Sequence, residues 1–168
     1  PCAVDAFCKL SEDWGTLGLD TILQPAIHYA THGVPIAERV AYDLTELTEK
    51  LNSAGKEFYL PWGRAPKVGE SFAHPGQVKV LKEIAKYGRD GFYFGEVAED
   101  MVNSLQKLGG VHTMDDFSSM EAFYTNPISC NFSKFELVEH PPNGQGATAI
   151  LLCNILKHFS ISLSLIHI

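Results

Sequence analysis

The stretch Gly88-Arg89-Asp90-Gly91-Phe92-Tyr93-Phe94-Gly95-Glu96-Val97-Ala98 decides how this chain is read. Three consecutive aromatics stand between glycines, with an acid just before them. The acid suits the positive end of a helix dipole. Beyond Gly95, the residues Val97, Met101, Val102 and Leu105 recur at helical spacing. One helix is therefore expected from Asp90 until Gly109-Gly110 stops it. On the upstream side, residues 77–87 read as a helix with Val78, Leu81, Ile84 and Ala85 facing inward, closed by Gly88.

Working outward toward the N-terminus, residues 5–12 read as a short helix with Val4, Phe7 and Cys8 on one side. A glycine-rich corner follows at Gly15-Thr16-Leu17-Gly18. Asp20 caps a helix expected to reach His32 and end at Gly33, with Pro25 early enough to be tolerated. Pro35 is expected to open a second long helix with Val40, Leu44, Leu47 and Leu51 buried, ended by Gly55. Residues 56–60 read as a short strand, Pro61-Trp62-Gly63-Arg64 as a turn and residues 66–75 as a loop.

Toward the C-terminus, Thr113-Met114-Asp115-Asp116 carries a helix N-cap pattern, with a short helix to about Met120. Residues 132–138 have strand composition, and Pro141-Pro142-Asn143-Gly144-Gln145-Gly146 is a tight loop. Residues 147–159 then read as a buried helix. The pattern is mainly α with a small β portion, and no repeat period is visible.

Composition narrows the function classes. Of the 168 residues, 45% are hydrophobic and 20% charged, enough apolar surface to offset chain entropy. The net charge of −7 and the scattered lysines argue against a nucleic-acid partner or an anionic membrane surface. No stretch is apolar for long enough to span a bilayer as a helix. Cys2, Cys8, Cys130 and Cys153 form no C-x-x-C pair and are too sparse for a disulfide framework. They are expected as free thiols, mostly buried, which is compatible with a reducing compartment without assigning one.

The residues able to do chemistry each have a plainer explanation. His28 and His32 share a helix face but have no third metal ligand at a suitable spacing. Asp115 and Asp116 have the form of paired carboxylates, yet helix capping accounts for them. Trp62 and Arg64 flank a glycine and are read as a structural turn. Asn143-Gly144-Gln145-Gly146 offers backbone N–H groups to an anion but lacks the lysine of a P-loop, so a loop allowing close packing is preferred. Cys130 has no neighbouring base in sequence. From the residues alone, no catalytic, cofactor-binding or metal-binding residue is assigned.

Several separated motifs, in order, resemble the large subunit of the γ-glutamyltransferase (γ-glutamyltranspeptidase) family. Pro1-Cys2-Ala3-Val4-Asp5-Ala6-Phe7 resembles the family's Pro-Gly-x-Val entry to a helix. Gln24-Pro25-Ala26-Ile27 with Ala30 and Gly33 resembles its Pro-Ala-Ile helix. The 88–98 stretch resembles Gly-Pro-Asp-x-Phe-Tyr-x-Gly-x-Ile-Ala, and Gly109-Gly110-Val111-His112-Thr113-Met114-Asp115-Asp116-Phe117 resembles Gly-Gly-x-x-Thr-x-Glu-Asp-Leu. Pro127-Ile128-Ser129, the 141–146 loop and Asn154-Ile155-Leu156 complete the run. Among the departures, Cys2 replaces a usual Gly. Cys130-Asn131-Phe132-Ser133-Lys134 stands where Gly-Asp-Tyr-Arg-Gly is typical, and Asn143-Gly144-Gln145-Gly146 replaces Ser-Ser-Gly-Gly.

The resemblance implies that residues 1–159 are part of a large subunit, in a parent with the α+β, αββα sandwich of Ntn-hydrolases. In that family a proenzyme cuts itself, and the new N-terminal Thr of the small subunit attacks a γ-glutamyl amide such as glutathione. No metal or organic cofactor is implied. The nucleophilic Thr and the Arg that holds the substrate carboxylate are expected outside this chain, with the small subunit as partner. The opening Pro1-Cys2-Ala3, without initiator Met or signal peptide, leads to the expectation that more chain precedes it. Residues 160–168 end in Leu163-Ser164-Leu165-Ile166-His167-Ile168, which resembles a translated sequencing adapter, and are read as a non-native tail. Two other readings stand beside this one: a related acylase acting on a β-lactam side chain, and a non-catalytic helical module.

Overall fold

Helices dominate because apolar residues recur at three- and four-residue spacing through most of the first 120 positions. The computed structural model describes residues 3–159, which divide into two units at Ala122 and Phe123. In the first unit the order is α1 (Ala3–Trp14), α2 (Leu19–Ile22), α3 (Gln24–His32), β1 (Val34–Pro35), α4 (Glu38–Leu47), a 3-10 turn (Thr48–Lys50), α5 (Ser53–Tyr59), β2 (Ser71–Phe72), α6 (Pro75–Tyr87), α7 (Asp90–Tyr93), α8 (Gly95–Lys107) and α9 (Met114–Ser118). In the second, β3 (Ile128–Phe132) and β4 (Phe135–Glu139) form an antiparallel hairpin followed by α10 (Gly146–Leu156). The residues read as a tail, 160–168, and Cys2 lie outside the described residues.

The core of the first unit is built around the 88–98 stretch and draws in residues from α1, α8 and α9. Tyr93, Ala98, Val102 and Phe117 are fully or almost fully buried, with Val4, Phe92, Met101, Leu105, Met114 and Met120 packed around them. The expected inward face of α8 is the observed one. So is that of α6, where Ile84 is buried and Val78, Leu81 and Ala85 are half-buried.

Gly91 makes the junction of α6 and α7 possible. A Cβ there would stand 2.2 Å from the Glu83 carbonyl oxygen and 2.5 Å from its carbon. Those are main-chain atoms that cannot swing aside, so the two helices approach this closely only over a glycine.

Several expectations need correction. The helix from Asp90 is not continuous: Phe94 is extended, and α8 starts afresh after it, which leaves Tyr93 free to point into the core. The helix expected over residues 20–32 is likewise broken, at Leu23 between α2 and α3. Residues 56–60 are not a strand. Residues 56–59 belong to α5 and Leu60 follows its end; the helix begins where Asn52 Oδ1 accepts the Gly55 N–H at 2.8 Å, so Gly55 lies inside a helix rather than ending one. A capping asparagine outweighs β-prone aromatics here.

Pro35 opens no helix. With Val34 it pairs with Ser71 and Phe72 in a two-residue antiparallel ladder, and α4 begins three residues later. The helix is also turned from its expected face: Ala41 is buried, whereas Val40 and Leu47 are exposed. In α1 the inward positions are Asp5 and Cys8, while Phe7 is exposed. Residues 132–138 are two strands meeting at a tight turn over Ser133 and Lys134, not one. Finally, α10 is not buried all round, since Leu151, Leu152 and Ile155 are more than half exposed.

Candidate functional site

The most connected polar group in the first unit is one that pattern reading missed. Asp5 is the buried acid of α1, and Arg89 sits at the corner between α6 and α7. Arg89 Nε lies 2.8 Å from Asp5 Oδ1. Arg89 Nη2 donates to the carbonyls of Ser118, at 2.9 Å, and of Met120. The Ala122 N–H donates to Asp5 Oδ2, and the Asp5 N–H donates to the Tyr93 hydroxyl oxygen at 3.1 Å. The guanidinium also stacks 4.9 Å from the Tyr93 ring centroid.

Every part of this node satisfies another part. Asp5 and Arg89 neutralise each other; main-chain groups meet Asp5 Oδ2 and Arg89 Nη2, and Arg89 Nη1 lies 3.6 Å from Asp90 Oδ1. The node borders a cleft of about 460 Å³ that also includes Cys8, Lys9 and Glu12. Burial, aided by Glu12 and Asp5, pushes the Cys8 thiol up, so it is a poor nucleophile at neutral pH. The arrangement ties three distant segments together and leaves neither Asp5 nor Arg89 free for a substrate. The sequence signal was Arg89 itself, a cation where the resembling motif has proline.

The residues weighed from sequence fall out as follows. The rings of His28 and His32 stack 4.3 Å apart, but His32 Nδ1 bonds the His28 carbonyl at 2.9 Å and both side chains are exposed. Among the described residues, no three His, Cys, Asp or Glu side chains are placed to hold a metal. Asp116 is half of a capping box with Thr113: its Oδ2 accepts the Thr113 N–H and hydroxyl, each at 2.8 Å. Those bonds hold its carboxyl below the ordinary range. Asp115 shares the first turn of α9, where its main-chain carbonyl accepts the Ser119 hydroxyl at 2.6 Å.

Arg64 stacks 5.6 Å from the Trp62 ring and is clamped by Glu70 through two bonds, of 2.7 and 2.9 Å. Arg64, helped by the Lys67 N–H, lowers the Glu70 carboxyl to about 2. A separate cleft of about 650 Å³, lined by Phe58, Trp62 and Phe72, opens beside this turn. Its charged lining residue is Glu57, and it brings together no acid–base pair.

The 143–146 loop is explained by packing. Gly146 is buried at the start of α10, and a Cβ there would meet the His140 carbonyl at 2.3 Å and the Glu139 Cβ at 2.7 Å. The glycine lets the end of β4 and the start of α10 lie against each other. Cys130 faces α10, its Sγ 3.9 Å from the Ile150 carbonyl oxygen.

Of the groups weighed from sequence, Asp116, Arg64 and Gly146 are occupied in a helix cap, an ion pair and a close main-chain approach. Similarity to known proteins supplies what geometry alone does not. A model of the gamma-glutamyltranspeptidase family matches residues 1–166. The glutathione hydrolase-like YwrD proenzyme of Bacillus subtilis is 31% identical over 96% of this chain and 31% of its own length. The gamma-glutamyltranspeptidase structure from Helicobacter pylori superimposes with a TM-score of 0.88 at 26% identity, covering 96% of this chain and 48% of that one. A cephalosporin acylase structure from Bacillus halodurans gives 0.85 at 31% identity, covering 94% and 31%. The chain therefore spans about a third of the length of the curated relatives it matches. With the family matched over nearly every residue and the fold shared with its solved members, the chain belongs to the gamma-glutamyltranspeptidase family, whose fold is that of the Ntn-hydrolases.

Proposed function

We propose that this chain is the supporting part of a self-maturing enzyme that cleaves γ-glutamyl amides such as glutathione. The observation that carries this reading is the match to the family from residue 1 to 166. The nucleophile is the N-terminal Thr of a small subunit made by self-cleavage. Its own α-amine takes the hydroxyl proton, a known way to activate a weak nucleophile. The threonine oxygen bonds the γ-glutamyl carbonyl carbon, the C–N bond breaks and the amine leaves with that proton, and the acyl group then passes to water or to an amino acid. The small subunit is the partner, and the substrate is a small molecule.

Two features of the chain support a scaffold role. The polar node at Asp5 and Arg89 is fully committed to holding segments together. The outward face of α10 presents Leu151, Leu152 and Ile155, the character of a helix that has more protein against it.

A second reading rests on the 31% identity to a cephalosporin acylase. In it the same scaffold serves release of a β-lactam side chain. The test is release of p-nitroaniline from γ-glutamyl-p-nitroanilide by the full-length protein. Turnover there, with none from the 168-residue chain alone, is the expected result. A self-processed protein without anilide turnover favours the acylase, and turnover by the chain alone overturns the scaffold reading.

A further inference from the structure

The second unit contains a feature that the proposed activity does not use. In β3 the half-buried positions alternate: Ile128, Cys130 and Phe132 share one face, with Leu137 opposite Cys130 on β4. That face is covered by α10, whose own half-buried positions include Ala149, Ile150, Cys153 and Leu156. Cys130 Sγ lies 3.9 Å from the Ile150 carbonyl oxygen. A helical carbonyl points along the axis toward the side of the residue three or four places on. Cys153 occupies that position, which sets its thiol beside that of Cys130.

We propose that Cys130 and Cys153 form a dithiol site that is converted to a strand-to-helix disulfide by exchange with a small-molecule disulfide. The Cys130 thiolate attacks one sulfur of the disulfide RSSR, giving a mixed disulfide and releasing one RS⁻. The Cys153 thiolate then attacks the Cys130 sulfur and releases the second. Two protein thiols and one RSSR become one protein disulfide and two RSH, so the protein sulfurs are oxidised and the small molecule is reduced. The exchange links α10 to the β3–β4 hairpin across the loop at residues 141–146.

Burial, with a contribution from neighbouring Cys153, pushes the Cys130 thiol up, so the thiolate is scarce at neutral pH and exchange runs faster on the alkaline side. Facing Cys130 from the packed elements are the Cys153 thiol and the Lys157 ammonium, the latter favouring the thiolate. This chemistry is independent of γ-glutamyl cleavage, and its test does not depend on that activity.

The experiment exposes the reduced full-length protein to glutathione disulfide at about pH 8, near the ordinary cysteine range, followed by alkylation, trypsin digestion and mass spectrometry. Cys130 and Cys153 fall in separate tryptic peptides, 108–134 and 135–157, so their disulfide is read as one linked pair. The expected result is that this pair outnumbers every other pairing, including those with Cys2 and Cys8, by roughly tenfold, the preference of a pre-assembled pair over groups that must first meet. Unfolding the chain in guanidinium before exposure removes the preference. The variant C153S leaves Cys130 with stable bound glutathione instead of the link. The proposal is overturned if both cysteines carry glutathione separately, stay reduced while the chain is folded, or pair at random.

Discussion

Arg89 and Asp5 face each other at 2.8 Å across the junction of α1 with the α6–α7 corner. The Asp5 side chain is almost completely buried and that of Arg89 about three-quarters buried. Removing one partner strands the other charge in a poorly solvated place. Asp5→Ala is therefore expected to destabilise the fold by about 3 kcal/mol, the low end for a broken buried pair, because Arg89 keeps some water contact. Chemical denaturation of the wild type and the variant measures this. A midpoint that does not move contradicts the assigned role of the node.

The close approach at Gly91 gives a second expectation. A methyl group there meets main-chain atoms of Glu83 and Ile84 in α6, so α6 and α7 must separate. Gly91→Ala is expected to cost about 1–3 kcal/mol by overpacking, although alanine is the better helix former. Thermal unfolding distinguishes the two effects by sign: a stabilised variant means the junction is looser than described.

At the start of α9, Thr113→Ala removes the hydroxyl that bonds Asp116 and accepts its N–H. Loss of such a cap typically costs about 1 kcal/mol. The check is the unfolding midpoint together with the protection of the Asp116 amide against hydrogen exchange. Unchanged protection contradicts the capping assignment.

Glu70 supplies a pH prediction. Arg64 and the Lys67 N–H lower its carboxyl from the ordinary 4.5 to about 2. A group whose folded value is lowered contributes stability that is fully present above its unfolded value. That contribution is lost as pH falls from about 4.5 toward about 2. Glu70→Gln should flatten the pH dependence of stability across that window and nowhere else. Carboxyl NMR of the wild type should place the Glu70 midpoint near 2; a midpoint near 4.5 shows that the Arg64 clamp does not hold in solution.

Much of this fold could be read from residue pattern. The inward faces of α6 and α8 follow from apolar spacing, and the capping box at Thr113 and Asp116 follows from residue type, because each is a local matter. The pairing of Asp5 with Arg89 escaped pattern reading for the opposite reason, although a cation at 89 was its one visible sign. Their partnership depends on tertiary placement, and a lone acid beside Val4 and Ala6 carries no mark of burial. The 56–60 error was a contest between β-prone aromatics and an asparagine cap, and the cap prevailed. The 132–138 stretch hid its turn because Ser133 and Lys134 lack the glycine or asparagine that marks most hairpins. Cys130 and Cys153 meet only because strand and helix fold back on each other, which no spacing rule indicates.

The central claim is that this chain supports chemistry performed by a threonine made elsewhere in the same precursor. N-terminal sequencing of the smaller product from purified full-length protein tests it most directly. The account predicts a spontaneous cut and threonine as the first residue read. A precursor that stays intact, or a product that starts with any other residue, contradicts it.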